Sequence, residues 1–158
     1  RAGPAQPGGH VCVKQRQRER RFAFQLLYAL HFHPTLTETE LARAFDNFRA
    51  DAQCPDLERK GSYAWELVCG VCQHHEELDA AIAKHATGWK LSRIATVERT
   101  ILRLALFEMR YTGLPFKVAV NEAVELAKAF GEEGSRVFVN GVLDAAGKAL
   151  LCHEAPLE

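Results

Sequence analysis

The stretch Val97-Glu-Arg-Thr-Ile-Leu-Arg-Leu-Ala-Leu-Phe-Glu-Met109 decides the fold class of this chain. Together with Ile94, its residues Val97, Ile101, Leu104, Ala105 and Glu108 recur at helical spacing and share one side of an α-helix, which Gly113 to Pro115 end. The same period runs outward in both directions. Downstream, Pro115 opens another helix whose inner face is Val120, Ala123, Val124 and Ala127, small enough for close helix approach, and Gly131 and Gly134 close it. Ser135 is expected to cap a last helix carrying Phe138, Val142, Ala146 and Leu150. Gly141 inside it costs about 1 kcal/mol of helix propensity and reads as a point of close packing or backbone contact.

Upstream, Thr37-Glu-Thr-Glu40 has the form of a capping box and predicts a helix to about residue 51, with Leu41, Ala44, Phe45 and Phe48 on its stripe. From Leu57 through Tyr63, Leu67, Val71, Leu78 and Ile82 the pattern continues to about His85, as one long helix or as two broken near Gly70 or His74. The first helix carries a charge block, Lys14-Gln-Arg-Gln-Arg-Glu-Arg-Arg21, that runs into Phe22-Ala-Phe-Gln-Leu-Leu-Tyr28 and ends near Pro34. No strand or hairpin pattern competes, so the fold class is all-α.

Composition bounds the function. A chain of 158 residues with 47% apolar content supports one sizeable core. No apolar run approaches the ~18 to 20 residues that span a bilayer, and the start lacks a signal-peptide core, so the cytoplasm is the expected location. Five cysteines, an odd and irregularly spaced set, read as free thiols. Residues 1–13 are expected to form a flexible tail, residues 14–152 a single helical domain, and residues 153–158 a second tail. The terminal Leu157-Glu158 and an opening residue other than Met read as marks of a trimmed and extended chain. Although 20 basic residues balance 20 acidic ones overall, residues 14 to 21 hold five basic side chains and one acid. That concentration of positive potential suits a polyanion such as nucleic acid, and it also fits a plain solvated helix start.

Four other features carry candidate chemistry. Cys69, Cys72, His74 and His75 have the residue types of a metal or redox site, yet they lie in a helical pattern that follows no strand, where packing of small cysteines explains them as well. Arg103 lies among apolar residues and must be paired if buried; Glu98, Glu108, Glu122 and Glu125 are its available partners, with Arg103–Glu122 the expected structural ion pair. Tyr28 and Phe32, beside His31 and His33, give the first helix a second apolar side that fits a protein partner or its own domain. The loop from Gly131 to Arg136 presents helix-start amides, a hydroxyl and a charge to an anion, against two acids in the same loop. No nucleophile elbow, P-loop, dinucleotide fingerprint or zincin motif is present, so the chain does not read as an enzyme.

Three consecutive segments, Val97 to Glu108, Pro115-Phe-Lys-Val-Ala-Val-Asn-Glu-Ala-Val-Glu-Leu-Ala-Lys128 and Ser135-Arg-Val-Phe-Val-Asn-Gly-Val-Leu-Asp144, together with the basic start and Gln25-Leu-Leu-Tyr28, resemble the NusB family of transcription antitermination factors. The resemblance covers about residues 14 to 150 and is sparse from about 35 to 90. It implies about seven helices in two packed subbundles, and a factor that binds boxA RNA of ribosomal RNA leader transcripts together with NusE in a complex on elongating RNA polymerase. Carried residue by residue, it implies RNA contacts at Lys14, Arg16, Arg18 and Arg20, further RNA proximity at Lys117, Ser135, Arg136 and Phe138, and a NusE-facing role for Tyr28 and Phe32. No cofactor or metal is implied, and the free protein is a monomer or a homodimer. Gln15 and Gln17 interrupt the arginine run, and Gly134 stands where some relatives carry an acid. The alternatives are a metal- or thiol-dependent protein using Cys69, Cys72, His74 and His75, or a NusB-like RNA-binding module in ribosomal RNA maturation.

Overall fold

In the computed structural model, residues 8–31, 36–52 and 54–154 are described. They form seven α-helices: α1 (Gly8–Ala29), α2 (Glu38–Asp51), α3 (Tyr63–Gln73), α4 (His75–His85), α5 (Thr96–Phe107), α6 (Phe116–Phe130) and α7 (Ser135–Glu154). No strand occurs among the described residues, and no helix there is long and apolar enough to cross a membrane.

Local signals set most boundaries. At α2 the Thr37 hydroxyl accepts the Glu40 amide at 3.2 Å and the Thr37 amide reaches the Glu40 carboxylate at 3.1 Å, the reciprocal pair the sequence predicts. Pro115 immediately precedes α6, as expected. The α3–α4 pattern breaks at His74 rather than at Gly70. Gly70 has a different job: a Cβ there would lie 2.0 Å from the Phe107 ring, so its hydrogen lets α3 close on α5. Residues 8–13, expected in the tail, belong to α1. No proline interrupts the chain between Pro7 and Pro34, so a helix nucleated in the apolar stretch propagates upstream.

After α5 the chain widens into one π turn, Glu108–Thr112, and stops at Gly113 in the left-handed region, φ +72°. Gly141, expected at a close approach, is exposed with open space where a Cβ would go.

The helices group as α1–α3 and α4–α7, and α5 joins the groups by packing on α1, α3, α4, α6 and α7. Ile101, Leu102, Leu104 and Leu106 of α5 are at most 1% exposed. Phe22 of α1 packs its ring 4.8 Å from Phe45 and 5.2 Å from Phe48, and Phe45 meets Trp65 at 5.4 Å, which ties α1, α2 and α3 together. α1 therefore lies with one side in the core and one side in solvent.

Candidate functional site

The inward side of α1 holds two charges. Arg20 is 4% exposed; its Nε donates to Glu108 Oε1 at 2.7 Å, its Nη2 to Glu108 Oε2 at 2.9 Å, and its Nη1 lies 3.3 Å from Glu122 Oε2. The Tyr63 hydroxyl donates to the same Glu108 carboxylate at 2.9 Å, and burial, with Glu108 beside it, pushes that phenol up so that it keeps its proton. Glu19 accepts the amides of Tyr63 at 3.0 Å and Ala64 at 3.4 Å, closing the start of α3 alongside Ser62. Arg20, expected among the RNA contacts, is thus a structural cation inside the protein, because three surrounding partners consume its guanidinium.

The outward side is a stripe. Lys14, Arg18, Arg21, Gln25 and Tyr28 follow one another at spacings of four and three and share one face of α1. Arg18 is half-buried and the other four are exposed. Arg18 binds both oxygens of Asp56, at 2.8 and 2.7 Å, and these hydrogen bonds hold the Asp56 carboxyl down to about 2. Arg16 lies over the Tyr63 ring at 4.2 Å, so its guanidinium is fixed while its edge stays exposed. A groove of about 460 Å³ runs between α1 and α6, with Lys14, Arg18 and Arg21 on one bank and Glu122 and Glu125 on the other. At Gln25 it meets an apolar groove of about 430 Å³ formed by Phe24, Tyr28, Phe48, Val97 and Phe130. From Lys14 to Tyr28 the stripe measures about 21 Å. Arg21, absent from the expected contacts, belongs to it; the spacing back from Tyr28 could have found it.

The remaining expected residues divide between the two ends of α6. Lys117 is exposed near its start, whereas Ser135 and Arg136 lie beyond its end, about 20 Å away along the helix axis. Arg136 is exposed. Ser135, expected both as a cap of α7 and as an RNA contact, is 4% exposed; its hydroxyl accepts the Glu132 amide at 3.1 Å and donates to Glu98 at 2.9 Å, so it ties the loop to α5 instead. Phe138 is half-buried, its ring 5.9 Å from that of Trp89, which is 54% exposed. Phe32 falls outside the described residues.

The expected Arg103–Glu122 pair does not form. Arg103 binds Asp79 of α4 through two bonds of 2.6 Å, and Glu122 faces Arg20 and Gln17. Arg103 leaves α5 on the side that meets α4, whereas Glu122 of α6 is drawn to Arg20 of α1. Cys69 and Cys72 lie in α3, and burial pushes the Cys69 thiol up to about 11 and raises Cys72 as well, the opposite of what a reactive thiol needs. His74 stacks on Tyr111 at 4.2 Å, and His75 Nδ1 lies 2.9 Å from the Cys72 carbonyl. The four residues do not converge, and among the described residues no group of three or more His, Cys, Asp or Glu could hold a metal ion.

The sequence model of the NusB family matches residues 17–148. The transcription antitermination protein NusB of Nitratidesulfovibrio vulgaris (strain Miyazaki F) is 41% identical over 147 residues, which covers 85% of this chain and 88% of that protein. That of Myxococcus xanthus (strain DK1622) is 40% identical over 137 residues, covering 85% and 96%. Among solved structures, one of the antitermination factors NusB and NusE in complex with double-stranded RNA superposes with a TM-score of 0.72 at 29% identity, over 86% of this chain and 98% of that one.

Proposed function

The chain belongs to the NusB family, and from that premise we propose that it is a transcription antitermination factor that binds boxA RNA of ribosomal RNA leader transcripts together with NusE, within a complex on elongating RNA polymerase in the cytoplasm. Its role is binding rather than catalysis. The observation that carries the reading is the stripe on the outward face of α1, cationic from Lys14 to Arg21 and aromatic at Tyr28.

Each end of the stripe suits a different ligand. Lys14, Arg16, Arg18, Arg21 and the exposed Lys117 near the start of α6 supply phosphate contacts that give affinity without sequence choice. Bases of a single strand need stacking faces and polar edges, and the Trp89–Phe138 ring pair would offer such a face. The groove around Tyr28 is apolar and uncharged, which fits a protein surface such as that of NusE. RNA on the basic half and protein on the aromatic half would then lie side by side, with Gln25 at the boundary.

The test is an electrophoretic shift with boxA RNA and a scrambled RNA, each with and without NusE. The reading expects modest, salt-sensitive binding of boxA RNA alone and a tighter, sequence-selective complex when NusE is added. Equal affinity for both RNAs in the presence of NusE would overturn it.

A further inference from the structure

A cavity of about 480 Å³ opens between the end of α1, the end of α3 and the first half of α5. Leu27, Leu30, Leu36 and Val71 give it apolar walls, and none of the described residues lining it is a carboxylate. Arg99 and Arg103 both face it. Arg103 is neutralised by Asp79, and the Thr100 hydroxyl is spent on the Thr96 carbonyl at 2.7 Å. Arg99 differs: its Nε is buried and has no hydrogen-bond partner among the described residues. A buried donor in that state has given up its water without gaining a replacement bond. The uncompensated charge of the cavity is therefore that of Arg99, and the group that fits beside it is an anion.

The shape narrows the class. A part-apolar cavity with one guanidinium unpaired among the described residues, beside His31, His75 and the Asp79-paired Arg103, suits a carboxylate on a short methylene stem better than a hydrated polyanion strand. The His31 ring lies 5.5 Å from that of Tyr28 and also lines the cavity, so the cavity and the Tyr28 groove flank the same end of α1. We propose that Arg99 receives an aspartate or glutamate side chain from the protein partner that covers the Tyr28 groove, and that this buried ion pair makes the interface selective for charge. The inference rests on the reading of that groove as the partner's face.

Titration calorimetry of the full chain with NusE tests it, on the wild type, Tyr28→Ala, Arg99→Met, Arg99→Glu and Arg99→Lys, each first shown to be folded by circular dichroism, with Arg99→Gln in place of any that is not. The expected result is that Arg99→Met weakens NusE binding about tenfold or more, that Arg99→Glu weakens it further, and that Arg99→Lys retains part of the affinity. If Tyr28→Ala weakens binding while Arg99→Met and Arg99→Glu match the wild type, the ion pair is overturned and the Tyr28 face stands. Equal losses in Arg99→Met, Arg99→Glu and Arg99→Lys also overturn it, because packing alone would then explain the loss. If NusE does not bind the wild type, both readings fall together.

Discussion

Arg20 of α1 and Glu108, at the junction of α5 and the π turn, form a two-point ion pair at 2.7 and 2.9 Å with side chains 5% and 2% exposed. It joins the helix that carries the basic stripe to the central helix of the core. Removing one partner leaves a buried charge without its counter-ion, so Arg20→Ala is expected to lower stability by about 3–5 kcal/mol, read as a fall in the urea midpoint. RNA affinity per folded molecule should hold. A loss of affinity with unchanged stability would return Arg20 to the RNA surface.

The outward arginines should behave the other way. Arg16→Ala combined with Arg18→Ala is expected to weaken RNA binding and to reduce the slope of log affinity against log salt by about 1.4, the effect of two phosphate contacts on a single strand. Thermal unfolding should change little, since Arg18 pairs at the surface and Arg16 covers one ring. An unchanged salt slope would remove both residues from the RNA contacts.

Asp56 occupies the Arg18 guanidinium that the proposed RNA contact would use. Asp56→Asn is expected to free that guanidinium and raise RNA affinity, measured by fluorescence anisotropy; weaker binding would show that the pair orients Arg18 rather than masks it. The pairing also sets a pH response. The folded-state value of about 2 lies below the ordinary 3.8, so the pair's contribution is present above pH 3.8 and is lost as pH falls through about 2. A carboxyl titration of Asp56 by NMR with its midpoint near 4 would contradict the ion pair in solution.

Two glycines in helices should respond with opposite signs. Gly70→Ala drives a methyl group into the Phe107 ring and is expected to cost about 1–3 kcal/mol. Gly141→Ala meets open space on an exposed helical face and is expected to stabilise by about 0.5–1 kcal/mol. Denaturant midpoints of the two variants check both signs, and a destabilised Gly141→Ala would mean that this face is already covered.

The helical period, the Thr37 capping box and the Pro115 start were legible because each depends on neighbours within four residues. Arg103–Asp79 was not, since which acid lies nearest depends on how α4 docks on α5. Nor was the fate of Ser135, whose partner Glu98 lies 37 positions away. Arg20 is an intermediate case. Extending the buried stripe Leu27, Phe24 and Ala23 back by one turn reaches Arg20, and one turn further reaches Arg16 on Tyr63. The charge of the block concealed that its members occupy two faces. Gly70 and Gly141 look alike in sequence, and only the approach of Phe107 separates them.

The single acid in the basic block has a consequence of its own. Because Glu19 closes the start of α3 while Arg20 is held by Glu108, residues 18 to 21 cannot unwind without opening the core beside them. The ligand must adapt to a rigid edge, so complex formation should proceed without a protein folding step: amide exchange at Glu19 and Arg20 should be as slow in the free chain as in the bound one, and the heat-capacity change should match the area of contact alone.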